Sequence, residues 1–103
     1  MIDARAPERY RGEVEPVDPK AGHIPGAINR PATANLGSDG RFLSRDELAR
    51  IYGGLGDSVF VSCGSGVTGC HDALAMVVAG FPMPRLYVGS FSEWSRLDLP
   101  VEA

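Results

Sequence analysis

Ser58-Val59-Phe60-Val61-Ser62 runs without polar alternation into Cys63-Gly64-Ser65-Gly66-Val67-Thr68, and that turn opens a mostly apolar stretch from Gly69 to Ala79 closed by Gly80. A β-branched and aromatic run lacking alternation suits a strand covered on both faces, the hallmark of a parallel sheet. A strand passing through a glycine-containing turn straight into a helix is the repeating joint of α/β architecture. We therefore expect a central strand over 58–62, a tight loop over 63–68 and a buried helix over 69–79.

The flanking sequence extends the alternation. Met1 to Arg5 reads as a short buried strand, and Ala6 to Tyr10 as one helical turn with Pro7 at a first helical position, where its missing N–H is not needed. Prolines and glycines suppress regular structure from Glu13 to Gly26, so Gly22-His23-Ile24-Pro25-Gly26-Ala27 is expected as a fixed turn before a short strand at 27–29. Ser44 and Glu47 have capping-box spacing, each satisfying an otherwise unpaired backbone N–H, and predict a helix over 45–52 with Leu48, Ile51 and Tyr52 on one face. Gly53-Gly54 stops it. Arg85 to Val88 reads as a strand and Ser92 to Arg96 as a short helix. The expectation is an α/β sandwich with a largely parallel sheet, formed by residues 1–103 as one domain.

Charge and apolar runs exclude several classes of partner. Thirteen acidic against ten basic side chains give a net charge of −3 without a block of like sign, which argues against nucleic acid. The longest apolar run, Ala73 to Ala79, is far below the ~18–20 residues that cross a bilayer. No charged segment precedes an apolar one at Met1, and two cysteines are too few for a secreted disulfide framework, so the chain is expected to be cytoplasmic.

Open α/β sheets place ligands at the carboxyl ends of their strands, and Cys63 stands there. The successive amides from Gly64 to Gly69, with the positive end of the following helix, stabilise negative charge at the centre of the loop. Gly64 and Gly66 leave room for that convergence. Cys63 is thus expected as a thiolate nucleophile; a small buried hydrophobe is the alternative. Cys70, about two helical turns on, is expected to be core filler. His23 is expected to hydrogen-bond its turn rather than to move protons. Cys63, Cys70, His23 and His71 lack zinc-ligand spacing, so no metal or other cofactor is expected. Trp94 and Phe91 are expected as core anchors.

Taken in order, Asp3-Ala4-Arg5, Arg9-Tyr10-Arg11-Gly12, Gly22-His23-Ile24-Pro25-Gly26-Ala27, the Cys63–Thr68 loop and Gly89-Ser90-Phe91-Ser92-Glu93-Trp94 resemble the catalytic domain of the rhodanese sulfurtransferases over nearly the whole chain. The resemblance is to the C-terminal domain of tandem-domain enzymes, which implies a rhodanese-like three-layer sandwich, with the chain corresponding to a domain excised from such a pair. The loop is similar to the 3-mercaptopyruvate branch, since thiosulfate-preferring members carry cations where this chain has Gly64 and Ser65.

What the resemblance implies is transfer of sulfane sulfur from 3-mercaptopyruvate or thiosulfate, through a persulfide on Cys63, to cyanide or a thiol acceptor such as thioredoxin or a small thiol. Ser65 is implied as a catalytic partner in carbon–sulfur cleavage. Gly64, Gly66, Val67 and Thr68 are implied as the cradle, and Arg5 and Arg9 as contacts to a small anionic donor. Mercaptopyruvate enzymes carry a second arginine after a Glu-Pro pair, whereas Val17 follows Glu15-Pro16 here and Lys20 is the remaining cation of that loop. A module that carries sulfur for a partner, or only binds one, is the alternative function. A phosphatase would need an arginine closing the loop, and a nucleotide P-loop a lysine after Gly66.

Overall fold

The computed structural model describes residues 1–16, 18–55, 59–63 and 68–103. Four short strands, β1 (Ile2–Asp3), β2 (Ile28–Asn29), β3 (Phe60–Ser62) and β4 (Arg85–Leu86), form an all-parallel sheet in the order β2-β1-β3-β4. Ile2 pairs with Ile28 on one side and Val61 on the other, so β1 and β3 are interior. After β1 the chain moves to one edge, and after β3 to the other. The crevice between the carboxyl ends of β1 and β3 is therefore the switch point, where this topology leaves room for a ligand.

Helices cover both faces. α1 is Pro7–Tyr10, with Pro7 at its start; α2 is Arg45–Tyr52, α3 Gly69–Val78 and α4 Ser90–Arg96. The capping box of α2 is formed at both bonds, Glu47 N–H to Ser44 Oγ and Ser44 N–H to Glu47 Oε2. Leu48 and Tyr52 turn from α2 onto a core that contains Ile2, Val61, Ala75 and Met76. On the opposite face Ile24, Ala27 and Phe91 form a second cluster with Tyr10 and Trp94 packed against it. Gly22 lets the loop approach the C-terminal segment: a Cβ there would lie 2.1 Å from the Glu102 carbonyl oxygen, and its φ of +118° suits glycine alone.

Several expectations need adjusting. The 58–62 strand is seen over 60–62, Ser58 lying outside the described residues; the 85–88 strand covers Arg85–Leu86, and the last helix begins two residues earlier, at Ser90. A 3₁₀ turn at Ala32–Asn35 was not anticipated. Cys70 is exposed rather than core filler, because α3 turns Gly69, Asp72, Ala75 and Met76 inward and places position 70 on the far side. Leu74, Val77 and Val78 share that exposed side, so α3 is only half buried despite its composition.

The 3₁₀ turn supplies a buried polar network beneath α3. The Tyr52 hydroxyl donates to Asn35 Oδ1 at 2.6 Å, and Asn35 Nδ2 donates to Asp72 Oδ1 at 2.8 Å and to His71 Nδ1 at 3.1 Å. Burial raises the Asp72 pKa to about 6 from 3.8, outweighing the hydrogen bond from Asn35 and the nearby Tyr52 hydroxyl; Asp3 raises it further and Arg30 opposes. The folded state therefore holds a proton that the unfolded chain releases between roughly pH 4 and 6. Stability from this group is full below about pH 4 and lost as pH rises through 6, a change of at most about 3 kcal/mol. Urea titrations across this range should show that slope, and Asp72→Asn should flatten it.

Candidate active site

The carboxyl ends of three strands enclose a pocket of about 170 Å³ lined by Ala4, Arg5, Ala6 and Arg9 after β1, Ala32 and Thr33 after β2, and Thr68 after β3. Pockets for drug-sized ligands run to ~300–1,000 Å³, so this one suits a much smaller molecule. Cys63 is fully buried and packs with Ala4 and Ala32, two of the lining residues, so it stands behind that part of the pocket wall. A Cβ added at Gly69 would stand 3.6 Å from Cys63 Sγ. The sulfur thus adjoins the first residue of α3, at the positive end of that helix.

Two guanidiniums, Arg5 and Arg9, line the pocket, and three carboxylates pair with them. Arg5 is buried: its Nε donates to Asp3 Oδ1 and Oδ2 at 3.1 and 3.2 Å, and its Nη2 to Asp3 Oδ2 at 2.8 Å and the Gly22 carbonyl at 2.6 Å. Its Nη1 reaches Glu15 Oε1 at 3.5 Å, and its plane lies over the Phe91 ring, 4.1 Å from the centroid. Arg5 follows β1 at a bend, where its own backbone N–H also donates to Asp3 Oδ1 at 2.9 Å and closes the pair locally. Arg9 is partly exposed, and its Nη2 donates to Glu15 Oε2 at 3.1 Å and Asp18 Oδ2 at 3.2 Å. Arg9 Nε and Asp18 Oδ1 are buried without a hydrogen-bond partner among the described residues.

Arg5, Arg9 and Thr68 are brought together around the pocket, with Cys63 behind its Ala4 and Ala32 wall. Ser65, Gly64, Gly66 and Val67 lie outside the described residues, as does Val17. Lys20 donates its ammonium to the carbonyls of Leu97 and Leu99, both at 3.1 Å, and does not line the pocket. His23 donates from Nδ1 to the Tyr10 carbonyl at 2.7 Å and stacks on the Tyr10 ring, which holds the turn. Phe91 is fully buried. Sequence reasoning missed Ala4, Ala6, Ala32 and Thr33, small residues with no chemical signature. It also gave no role to Asp18 or to Glu15, which it named only as part of the Glu15-Pro16 pair.

Comparison with known proteins gives consistent results. The protein-family model for the rhodanese-like domain matches residues 1–97. The chain is 56% identical over 99 residues to a probable 3-mercaptopyruvate sulfurtransferase of Pseudomonas aeruginosa, covering 91% of this chain and 35% of that protein. It is 48% identical over 99 residues to a putative thiosulfate sulfurtransferase of Mycobacterium tuberculosis, covering 92% and 34%. The chain thus spans about a third of the length of these curated relatives. Among solved structures, an EanB variant with ergothioneine covalently linked to a persulfide cysteine superposes with a TM-score of 0.87 at 25% identity, over 99% of this chain and 27% of that one. With an all-parallel α/β sheet, a cysteine at its switch point and a family match over nearly its whole length, this chain belongs to the rhodanese-like domain family.

Proposed function

We propose that the chain is the sulfurtransferase domain of its protein, moving sulfane sulfur from a small anionic donor to a thiol or cyanide through a persulfide on Cys63. The observation that carries this is the placement of Cys63 at the end of β3, beside the start of α3 and packed on Ala4 and Ala32, which line a pocket together with Arg9. The relatives' names support 3-mercaptopyruvate as the donor, with thiosulfate second.

In the first half-reaction the Cys63 thiolate attacks the donor's outer sulfur and an S–S bond forms. From 3-mercaptopyruvate the C–S bond breaks, its electron pair leaves on the enolate, and a proton completes pyruvate. From thiosulfate the S–S bond breaks and sulfite leaves. In the second half-reaction an acceptor thiolate takes the outer sulfur and Cys63 is returned as thiolate. No external oxidant is consumed. Ser65, matching the family's serine, assists carbon–sulfur cleavage, while the amides of Gly64, Gly66, Val67 and Thr68 cradle the charged sulfur. The cytoplasm, where thioredoxin and small thiols stay reduced, supplies acceptors. No helix among the described residues is long and apolar enough to cross a membrane.

Arg9 contacts the donor's carboxylate or sulfonate in this account, and Arg5, engaged by Asp3 and Gly22, holds the pocket wall. A hydrogen bond to a charged group is worth about 1.5–3 kcal/mol, so Arg9→Ala should raise the donor KM roughly 10- to 100-fold. The kcat should change little, because the contact is shared by ground and transition states. A donor titration checks this, and an unchanged KM removes Arg9 from the contact set.

A second reading has one observation in its favour: three carboxylates, Asp3, Glu15 and Asp18, already engage the two arginines. A sulfur-carrying module fed by a partner protein would need no further cation. In that case Cys63 loads from a protein persulfide but from neither small donor.

A further inference from the structure

Ser90 is the one non-glycine residue with positive φ among the described residues, at +52°. Glycine takes this conformation without steric cost and a serine does not. The side chain is fully buried, so solvation does not account for it. Its hydrogen bonds do. Ser90 Oγ donates to the Tyr87 carbonyl at 2.7 Å and accepts from the Cys63 N–H at 3.1 Å. The next residue, Phe91, donates its N–H to the Cys63 carbonyl at 2.9 Å. Both backbone polar groups of Cys63 are thus held by one dipeptide at the start of α4.

The ladder between β3 and β4 shows what the hydroxyl replaces. Arg85 N–H donates to Val59 O at 2.9 Å and Tyr87 N–H to Val61 O at 3.0 Å. Continued in parallel register, the next rung would run from Cys63 N–H directly to Tyr87 O. Instead the Ser90 hydroxyl stands between those two groups, bonded to each. On its other side β3 keeps a direct bond, Ala4 N–H to Ser62 O at 2.7 Å. One strand edge is therefore parted by the width of a hydroxyl at Cys63, while the other stays closed.

We propose that Ser90 is a positioning residue for sulfur transfer: its hydroxyl, inserted as a relay into the β3–β4 ladder, sets the backbone direction at Cys63 and so the aim of the sulfur into the pocket. This rests on the sulfurtransferase reading for its consequence, though not for its geometry.

The test compares Ser90→Gly with Ser90→Ala. Glycine relaxes the positive φ and alanine retains the strain; both remove the hydroxyl. For each variant three quantities are read: the single-turnover rate of sulfur loading at saturating 3-mercaptopyruvate or thiosulfate, the donor KM, and the rate of Cys63 alkylation by iodoacetamide, resolved from Cys70 by peptide mass. The expected result is a loading rate at least tenfold lower in both variants. The donor KM should stay within twofold of wild type, since no pocket-lining residue is touched, and the alkylation rate should move at least threefold. Thermal melts should rank glycine above alanine without restoring the loading rate. A Ser90→Gly protein that matches wild type in loading and alkylation overturns the proposal, because the serine would then serve the fold alone. If wild type takes up no sulfur from either donor, the sulfurtransferase reading fails separately, and unchanged alkylation in both variants still overturns the positioning of Cys63 by Ser90.

Discussion

Cys63→Ser should leave a folded protein that takes up no sulfur at position 63 from any donor. The substitution is small: Cys63 is fully buried against Ala4 and Ala32, and a hydroxyl is slightly smaller than a thiol. The backbone bonds that hold the position, to Ser90 Oγ and from the Phe91 N–H, do not involve the side chain and remain. The chemistry changes completely. A serine hydroxyl is a far weaker nucleophile than a thiolate unless a base activates it, and an oxygen–sulfur linkage would not serve as a sulfane carrier. Turnover should fall below detection while the thermal midpoint stays within about 5 °C of wild type, equivalent to about 1 kcal/mol in a domain of this size. Sulfur transfer persisting in Cys63→Ser would place the carrier elsewhere.

Loss of the Asp3 carboxylate should cost more stability than any other change considered. Asp3 accepts from the Arg5 side chain through both oxygens and from the Arg5 backbone N–H at 2.9 Å, with the two side chains almost wholly buried. Removing one partner of a buried ion pair leaves the other charge poorly compensated, a penalty of about 3–5 kcal/mol that Glu15, at 3.5 Å from Arg5 Nη1, offsets only in part. Against the ~5–15 kcal/mol by which domains are stable, that is a large fraction. An amide retains one acceptor, so Asp3→Asn should fall near the lower end and Asp3→Ala near the upper. The same arginine grips the Gly22 carbonyl and lies over Phe91, so the damage should spread from the β1 end to the turn and to α4. Urea denaturation measures it; a loss below about 1 kcal/mol would mean that water readily replaces Asp3, contrary to its burial.

How much of this was legible in the sequence depended on whether a residue's signal was local. The α2 helix was readable to the residue because Ser44 and Glu47 announce its start and Gly53-Gly54 its end. The placement of Cys63 followed from the run of strand, glycine-containing turn and helix. The 3₁₀ turn at Ala32–Asn35 was not readable, since its purpose lies in Asn35 meeting Tyr52 and Asp72 across the fold. The exposure of Cys70, Leu74 and Val77 was hidden for the opposite reason: α3 is apolar around most of its circumference, and composition does not reveal which side meets the sheet. The pocket was invisible because Ala4, Ala6 and Ala32 form it by being small. Arg5 was read as a donor contact from resemblance, and its bonds to Asp3 and to the distant Glu15 and Gly22 had no signal in the sequence. The left-handed Ser90 had no sequence signal beyond its neighbour Gly89.

The assignment of Cys63 is tested most directly by the intact mass of the protein under non-reducing conditions after parallel incubation with 3-mercaptopyruvate and with thiosulfate, Cys63→Ser serving as control. The predicted result is a gain of one sulfur atom from at least one donor, absent in the control and lost again when a thiol or cyanide is added. No gain from either donor, or the same gain in the control, would contradict the assignment of Cys63 as the sulfur carrier for small donors.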